Sequence, residues 1–152
     1  MSNGFLLDTN IISKFAPDKI TPSQEVRAWF HDHGETGTLY LSAMTVAEIE
    51  KGMRSLHRRG AVERADSLNL WLEALTKNFG EQILPMDTVV ARIVGALADA
   101  ASSKGQNPGV SDLIIAATAK AYDLVVVTEN LKHFIPLKIE VDLPGCFKQP
   151  DV

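Results

Sequence analysis

FLLDTNIIS, residues 5–13, joins two apolar runs through three polar residues. Phe5, Leu6 and Leu7 form a short apolar run that stops at Asp8. Thr9 and Asn10 are helix-capping types, and Ile11 and Ile12 begin a new apolar segment. An open parallel sheet presents acids in this way, at the carboxyl ends of buried strands where the following helices begin. The fold turns on whether later strands end in the same manner.

Working outward, Thr9–Phe15 makes one or two helical turns that end near Pro17. Thr21 and Gln24 form a capping pair around Pro22, opening a helix with Val26, Trp29 and Phe30 on one face and Gly34 at its end. Residues 38–42, TLYLS, read as a second strand. A helix over 43–56 buries Val46, Ile49 and Met53, and Gly60 breaks it. Ala61, Ala65, Leu68, Leu72, Leu75 and Phe79 alternate four and three apart, the longest clean helical stripe, which Gly80 terminates. These two helices pair as a hairpin. Residues 82–86, QILPM, give a third strand, and Asp87 caps a helix reaching Ser103.

After the Gly-, Asn- and Pro-containing loop 104–109, residues 110–122 form a helix apolar on nearly every side. LVVVT, residues 124–128, is the most β-like run and reads as a central strand. A helical turn at 131–134 and a weak strand at 139–141 follow. Strands alternating with helices predict a three-layer α/β/α domain with a mainly parallel central sheet of four to five strands. It spans 1–143, with a patternless tail at 144–152.

The totals agree. A chain of 152 residues suits one domain with a full core, and 45% hydrophobic with 22% charged residues argues against disorder. A net charge of −4 excludes a globally electrostatic nucleic-acid binder, so any such contact needs a local basic patch or a metal ion that offsets acids. One cysteine, Cys146, excludes an internal disulfide framework and fits a reducing compartment. No apolar run reaches the ~18 residues of a membrane span. A soluble, cytoplasmic protein is expected.

Four carboxylates stand at or near strand-to-helix junctions: Asp8, Glu48, Asp87 and Asp112. Each has an ordinary explanation, because Asp is a preferred N-cap and acids suit a helix's first turn. Asp87 has no other cap before it and is read as structural. Asp8 precedes Thr9 and Asn10, which cap equally well, so the acid is spare. Glu48 completes a capping box with Thr45, unless the helix starts at Ser42, which would free its side chain in the second turn. Asp112 follows Ser111, another adequate cap, and opens the most buried helix, where an unpaired carboxylate is costly. Three acids at one sheet edge repel one another, and an oxygen-loving ion such as Mg²⁺ or Mn²⁺ relieves the repulsion.

The motifs LLDTNIIS at Asp8, TVAEIEKG around Glu48, ILPMD, and SDLIIAATAKAYDLVVVTEN from Ser111 onward occur in an order and spacing that resembles the PIN-domain nucleases. Within them the chain is most similar to the VapC-type ribonuclease toxins of bacterial toxin–antitoxin pairs, from about residue 4 to 135. The resemblance implies a Mg²⁺- or Mn²⁺-dependent endoribonuclease, the toxin of a type II pair that inhibits translation and growth. Asp8, Glu48 and Asp112 would be its catalytic and metal-holding residues. Thr9, Asn10, Ser111, Thr128, Asn130 and His133 would be supporting polar neighbours. The family segment after the last core strand is matched at Asn130, whereas His133 stands where an acid is common and Glu129 where a basic residue is common. The resemblance also implies a homodimer and a cognate antitoxin covering the acidic site.

RNA needs positive charge nearby. Lys51, Arg54 and Arg58 recur on the helix of Glu48 and are candidates for RNA or partner contact, against the ordinary fate of a solvated face. Two rivals are kept. A catalytically inactive PIN-like binding module fits the altered 129 and 133 positions. A phospho-accepting receiver domain shares the fold class, but needs paired acids after the first strand and a late lysine.

Overall fold

The computed structural model describes residues 2–148. Its sheet comprises β1 (Phe5–Leu7), β2 (Leu39–Ser42), β3 (Ile83–Leu84), β4 (Val125–Val127) and β5 (Val141–Asp142). All pairings are parallel, in the order β3-β2-β1-β4-β5. The chain therefore winds one way from β1 to β3, then crosses back to the other side of β1. Parallel neighbours require crossover connections, and helices supply them. They are α1 (Thr9–Ile12) and α2 (Gln24–Glu35), α3 (Ala43–Arg58) and α4 (Val62–Phe79), α5 (Thr88–Ser103) and α6 (Val110–Tyr122), and α7 (Leu131–Phe134).

Strand alternation assigns the layers. Leu6 and Val126 face one way, onto Val90 and Leu97 of α5, Leu113 and Ala116 of α6, and Phe134. Leu7 and Val127 face the other way, onto Ile11, Ile12, Val26, Ile49, Leu72 and Leu75. The result is the expected α/β/α sandwich, with five strands among the described residues, all parallel. The α3–α4 hairpin closes a small second core from Met53, Ala65 and Leu68 against Ala16, from the segment after α1.

Several local expectations are corrected. α2 starts at Gln24 and not around Pro22, because the Ser23 hydroxyl accepts from the Val26 N–H at 3.2 Å and takes the cap from Thr21. Gly34 lies inside that helix, and the reversal falls at Gly37, whose φ of +68° suits glycine. β3 is two residues long, since Gln82 belongs to a 3-10 turn and its side chain instead bonds the carbonyls of Gly37 and Leu39. β5 lies at 141–142 and not at 139–141. The 144–152 tail is not patternless where it is described: Gly145–Phe147 is a 3-10 turn, and Phe147 is buried edge-on to Trp29 at 5.3 Å. Residues 149–152 of that tail lie outside the described residues.

Candidate active site at the carboxyl edge of the sheet

In an open parallel sheet the crevice lies where the winding direction reverses. Here that point is the gap between the carboxyl ends of β1 and β4. Leu7 pairs with Val127, so the next residues, Asp8 and Thr128, meet there. Asp8 is 5% exposed and Thr128 fully buried.

Asp8 does cap α1, its Oδ1 accepting from the Thr9 N–H at 2.8 Å. Its other oxygen, Oδ2, accepts from Thr128 Oγ1 at 2.8 Å and from Asn10 Nδ2 at 3.2 Å. Thr128 is the hub: its hydroxyl also accepts from the Asn130 N–H at 2.9 Å and from Asn10 Nδ2 at 3.3 Å. Asn10 completes the ring by accepting from the Glu129 N–H at 3.2 Å. Asn130 thus takes part through its backbone.

Glu48 arrives from α3, whose N-cap is Ser42, bonding the Met44 N–H at 3.0 Å. The Thr45–Glu48 capping box does not form. Thr45 is instead buried beside Thr9, hydroxyl to hydroxyl at 3.0 Å, and Glu48 Oε1 accepts from Thr9 Oγ1 at 2.9 Å. Asp112 occupies the first turn of α6, whose N-cap is Gly109 with no side-chain cap, so Ser111 does not serve as one. His133 from α7 stands with Nδ1 3.2 Å from Asp112 Oδ2. Asp87, by contrast, is spent on capping α5, accepting from the Val90 N–H at 2.9 Å.

The electrostatics link the three acids. Burial pushes the Asp8 carboxyl above the usual carboxylate range, against the hydrogen bonds from Thr128 and Thr9; nearby Asp112 raises it further and His133 lowers it. Burial likewise raises Glu48, against the Thr9 hydrogen bond, with Asp8 and Asp112 adding to the rise and Lys51 opposing it. Asp112 is thus close enough for its charge to act on both Asp8 and Glu48, and Asp8 on Glu48.

As they stand, these groups do not close on a common point: among the described residues no three His, Cys, Asp or Glu side chains form a ready-made metal cage. The donor chemistry nevertheless suits a hard cation. Mg²⁺ retains several waters and needs only one or two direct carboxylates, so the remaining acid can act through water.

The candidate basic residues divide. Lys51 is close enough to act on Glu48. Arg54 bonds Glu50 at 2.9 Å, and with Arg58, His57, Asp66 and Asn69 it lines a separate groove between α3 and α4. Sequence reasoning missed Lys14, which forms an ion pair with Glu129. No local signal joins residues so far apart, although an acid at 129 where a base is common hinted at a compensating cation.

A parallel α/β/α domain with carboxylates gathered at its switch point defines the class. The PIN domain family matches residues 5–135, most of the chain, and the chain belongs to that family. This sets aside the receiver-domain reading. The chain is 35% identical over 140 residues to Toxin FitB of Neisseria gonorrhoeae, covering 91% of this chain and 96% of that protein. It is 33% identical over 140 residues to VapC ribonuclease Y4jK of Sinorhizobium fredii, with the same coverage, 91% and 96%. It is also similar to the crystal structure of FitAcB from Neisseria gonorrhoeae, with a TM-score of 0.78, 34% identity, and 92% of this chain and 97% of that chain covered.

Proposed function

We propose that this chain is a divalent-cation-dependent endoribonuclease that hydrolyses RNA phosphodiester bonds, acting as the toxin of a toxin–antitoxin pair. The observation that carries the reading is the arrival of three carboxylates at one sheet edge: Asp8 bound to Thr128, Glu48 tied to Thr9 beside it, and Asp112 near enough for its charge to act on both, which a cation would offset. The similarity to proteins named toxin and VapC ribonuclease supports it.

Asp8 and Asp112 would hold Mg²⁺ or Mn²⁺ directly, with Glu48 orienting water. When bound, such an ion lowers the pKa of a nearby water and offsets phosphate charge. The protein's own part is positioning. Thr128, Asn10 and the Thr9 N–H fix the Asp8 carboxylate, the Thr9 hydroxyl fixes Glu48, and His133 holds Asp112. Asn130 would support the site through its backbone N–H on Thr128, and Ser111 as the neighbour of Asp112 at the start of α6. A homodimer and a cognate antitoxin are the expected assembly. Lys51 would face RNA beside Glu48, while Arg54 and Arg58, on their separate groove, would meet the partner protein.

The test is cleavage of RNA by the purified chain with Mg²⁺ or Mn²⁺, and with EDTA. Activity is expected only with the ion, and Asp8→Asn and Asp112→Asn should each lose at least about a hundredfold while keeping native circular dichroism. Wild-type rates in EDTA, or in either variant, overturn the proposal.

A further inference from the structure

Asn10, whose side chain bonds Asp8, also lines a groove of about 790 Å³ between the segment after α1 and the C-terminal turn. Asn10, Ser13, Lys14, Lys19, Thr21 and Lys148 line it. Among the described residues Asp18 is the one acid on its walls, and Arg64 answers that charge at 3.0 Å. Lys14 is engaged by Glu129 at the end nearest the acids. Lys19 and Lys148 are exposed. On a chain of net charge −4, the described residues give this groove a local positive excess that begins at Asn10, beside Asp8.

Its chemistry suits a phosphate backbone. Ammonium groups neutralise phosphates, hydroxyls and amides hydrogen-bond to phosphate and sugar oxygens, and neither kind of contact reads a base. The aromatic among the lining residues, Phe147, is buried, so the groove offers no stacking platform.

We propose that this groove, and not the α3 face carrying Arg54 and Arg58, takes the phosphate backbone of single-stranded RNA flanking the scissile bond. Lys19 and Lys148 are its phosphate contacts, and Glu129 sets how far Lys14 contributes. The inference rests on the nuclease reading. It goes beyond it by naming the path of the strand.

The test uses fluorescence anisotropy of a labelled 12-nucleotide oligouridylate in EDTA, so that nothing is cut, titrated from 50 to 250 mM KCl. The double variant Lys19→Gln/Lys148→Gln should bind about tenfold more weakly near 100 mM salt. The slope of log Kd against log salt should fall by about 1.4, or about 0.7 per lost single-strand contact. Lys77→Gln and Arg54→Gln, as controls, should match wild type. Glu129→Gln should bind about threefold more tightly, a gain that a folding defect does not produce. In cleavage assays the double variant should raise KM and leave kcat in place.

An unchanged salt slope in the double variant, an equal loss in the controls, or no oligonucleotide binding by wild type overturns the groove. So does a double variant that keeps its RNA slope but loses binding to polyglutamate, which would make this an acidic-protein surface. A wild type that cuts RNA while the double variant keeps its KM removes only the groove. A wild type that cuts no RNA removes the nuclease reading as well.

Discussion

Thr128 Oγ1 donates to Asp8 Oδ2 at 2.8 Å, joining side chains 120 residues apart in the chain. The contact follows from the parallel pairing of Leu7 with Val127, which delivers both side chains to the same edge one residue later. It sits beneath the acids and orients one of them.

Thr128→Val keeps the shape and removes the donor. A hydrogen bond to a charged group is worth about 1.5–3 kcal/mol, so the melting midpoint should fall by about 4–10 °C. Asp8 should also lose its orientation, with cleavage down at least about tenfold. Thr128→Ser should restore both. Calorimetry and a cleavage assay on the two variants check this, and a Val variant as active as wild type would show the bond to be incidental.

Glu48→Gln should separate function from stability in opposite directions. The amide keeps an oxygen to accept from Thr9 but removes a half-buried charge that Asp8 and Asp112 repel. Sites of this kind trade stability for activity. In EDTA at neutral pH the variant should melt slightly higher, by about 1–2 °C once solvent screening of this partly exposed group is allowed for, while metal-dependent cleavage is lost. A lower midpoint with native activity would mean that Glu48 is a structural acceptor.

The pH dependence has a definite sign. Asp8 and Glu48 have folded-state pKa values raised above their ordinary ones. Their contribution to stability is therefore fully present below the unfolded carboxylate pKa and is lost as pH rises through the raised folded values. Cation binding runs the other way, because it needs both groups deprotonated. Melting curves across the upper carboxylate range should show a falling contribution in EDTA and a growing rise in midpoint on adding Mn²⁺. Glu48→Gln should flatten the first trend. A Mn²⁺-induced rise independent of pH over that window would separate the ion from these acids.

The helix at 62–79 was legible because an apolar stripe met a glycine stop, both local signals, and that at 110–122 because it is apolar on nearly every side, although its end falls at Asp123, in the left-handed conformation, where no glycine marks it. The short edge strands were blurred, because two ladder residues carry too little pattern and their neighbours' bonding decides where pairing ends. Among the acids, sequence read Asp87 correctly as a cap, but its reason for setting Asp8 apart failed, since Asp8 caps α1 through one oxygen and only the other is left for Thr128 and Asn10. It left Glu48 undecided, since only the bond from Ser42 to Met44 frees its side chain. The Thr128 hub, the His133–Asp112 contact and the Lys14–Glu129 pair were not legible as contacts, because each depends on how strands and helices from distant parts of the chain align.

Gly4, immediately before β1, has φ +149°, and a Cβ there would lie 2.5 Å from the Thr38 carbonyl oxygen. That oxygen is not movable at small cost, because it accepts from the Phe5 N–H at 2.8 Å. The Gly4 carbonyl in turn accepts from the Val125 N–H at 3.0 Å, so the residue ties β1 to both neighbours. Gly4→Ala must therefore part β1 from β2 or twist its backbone into a region costing about 1–3 kcal/mol. The midpoint should fall by at least about 4 °C. Because β1 carries Asp8 at its other end, cation affinity should weaken too, although no site residue has changed. Isothermal titration with Mn²⁺ alongside thermal melts tests this. An Ala variant with unaltered midpoint and affinity would mean that the edge holding Asp8 is not set by the β1–β2 register.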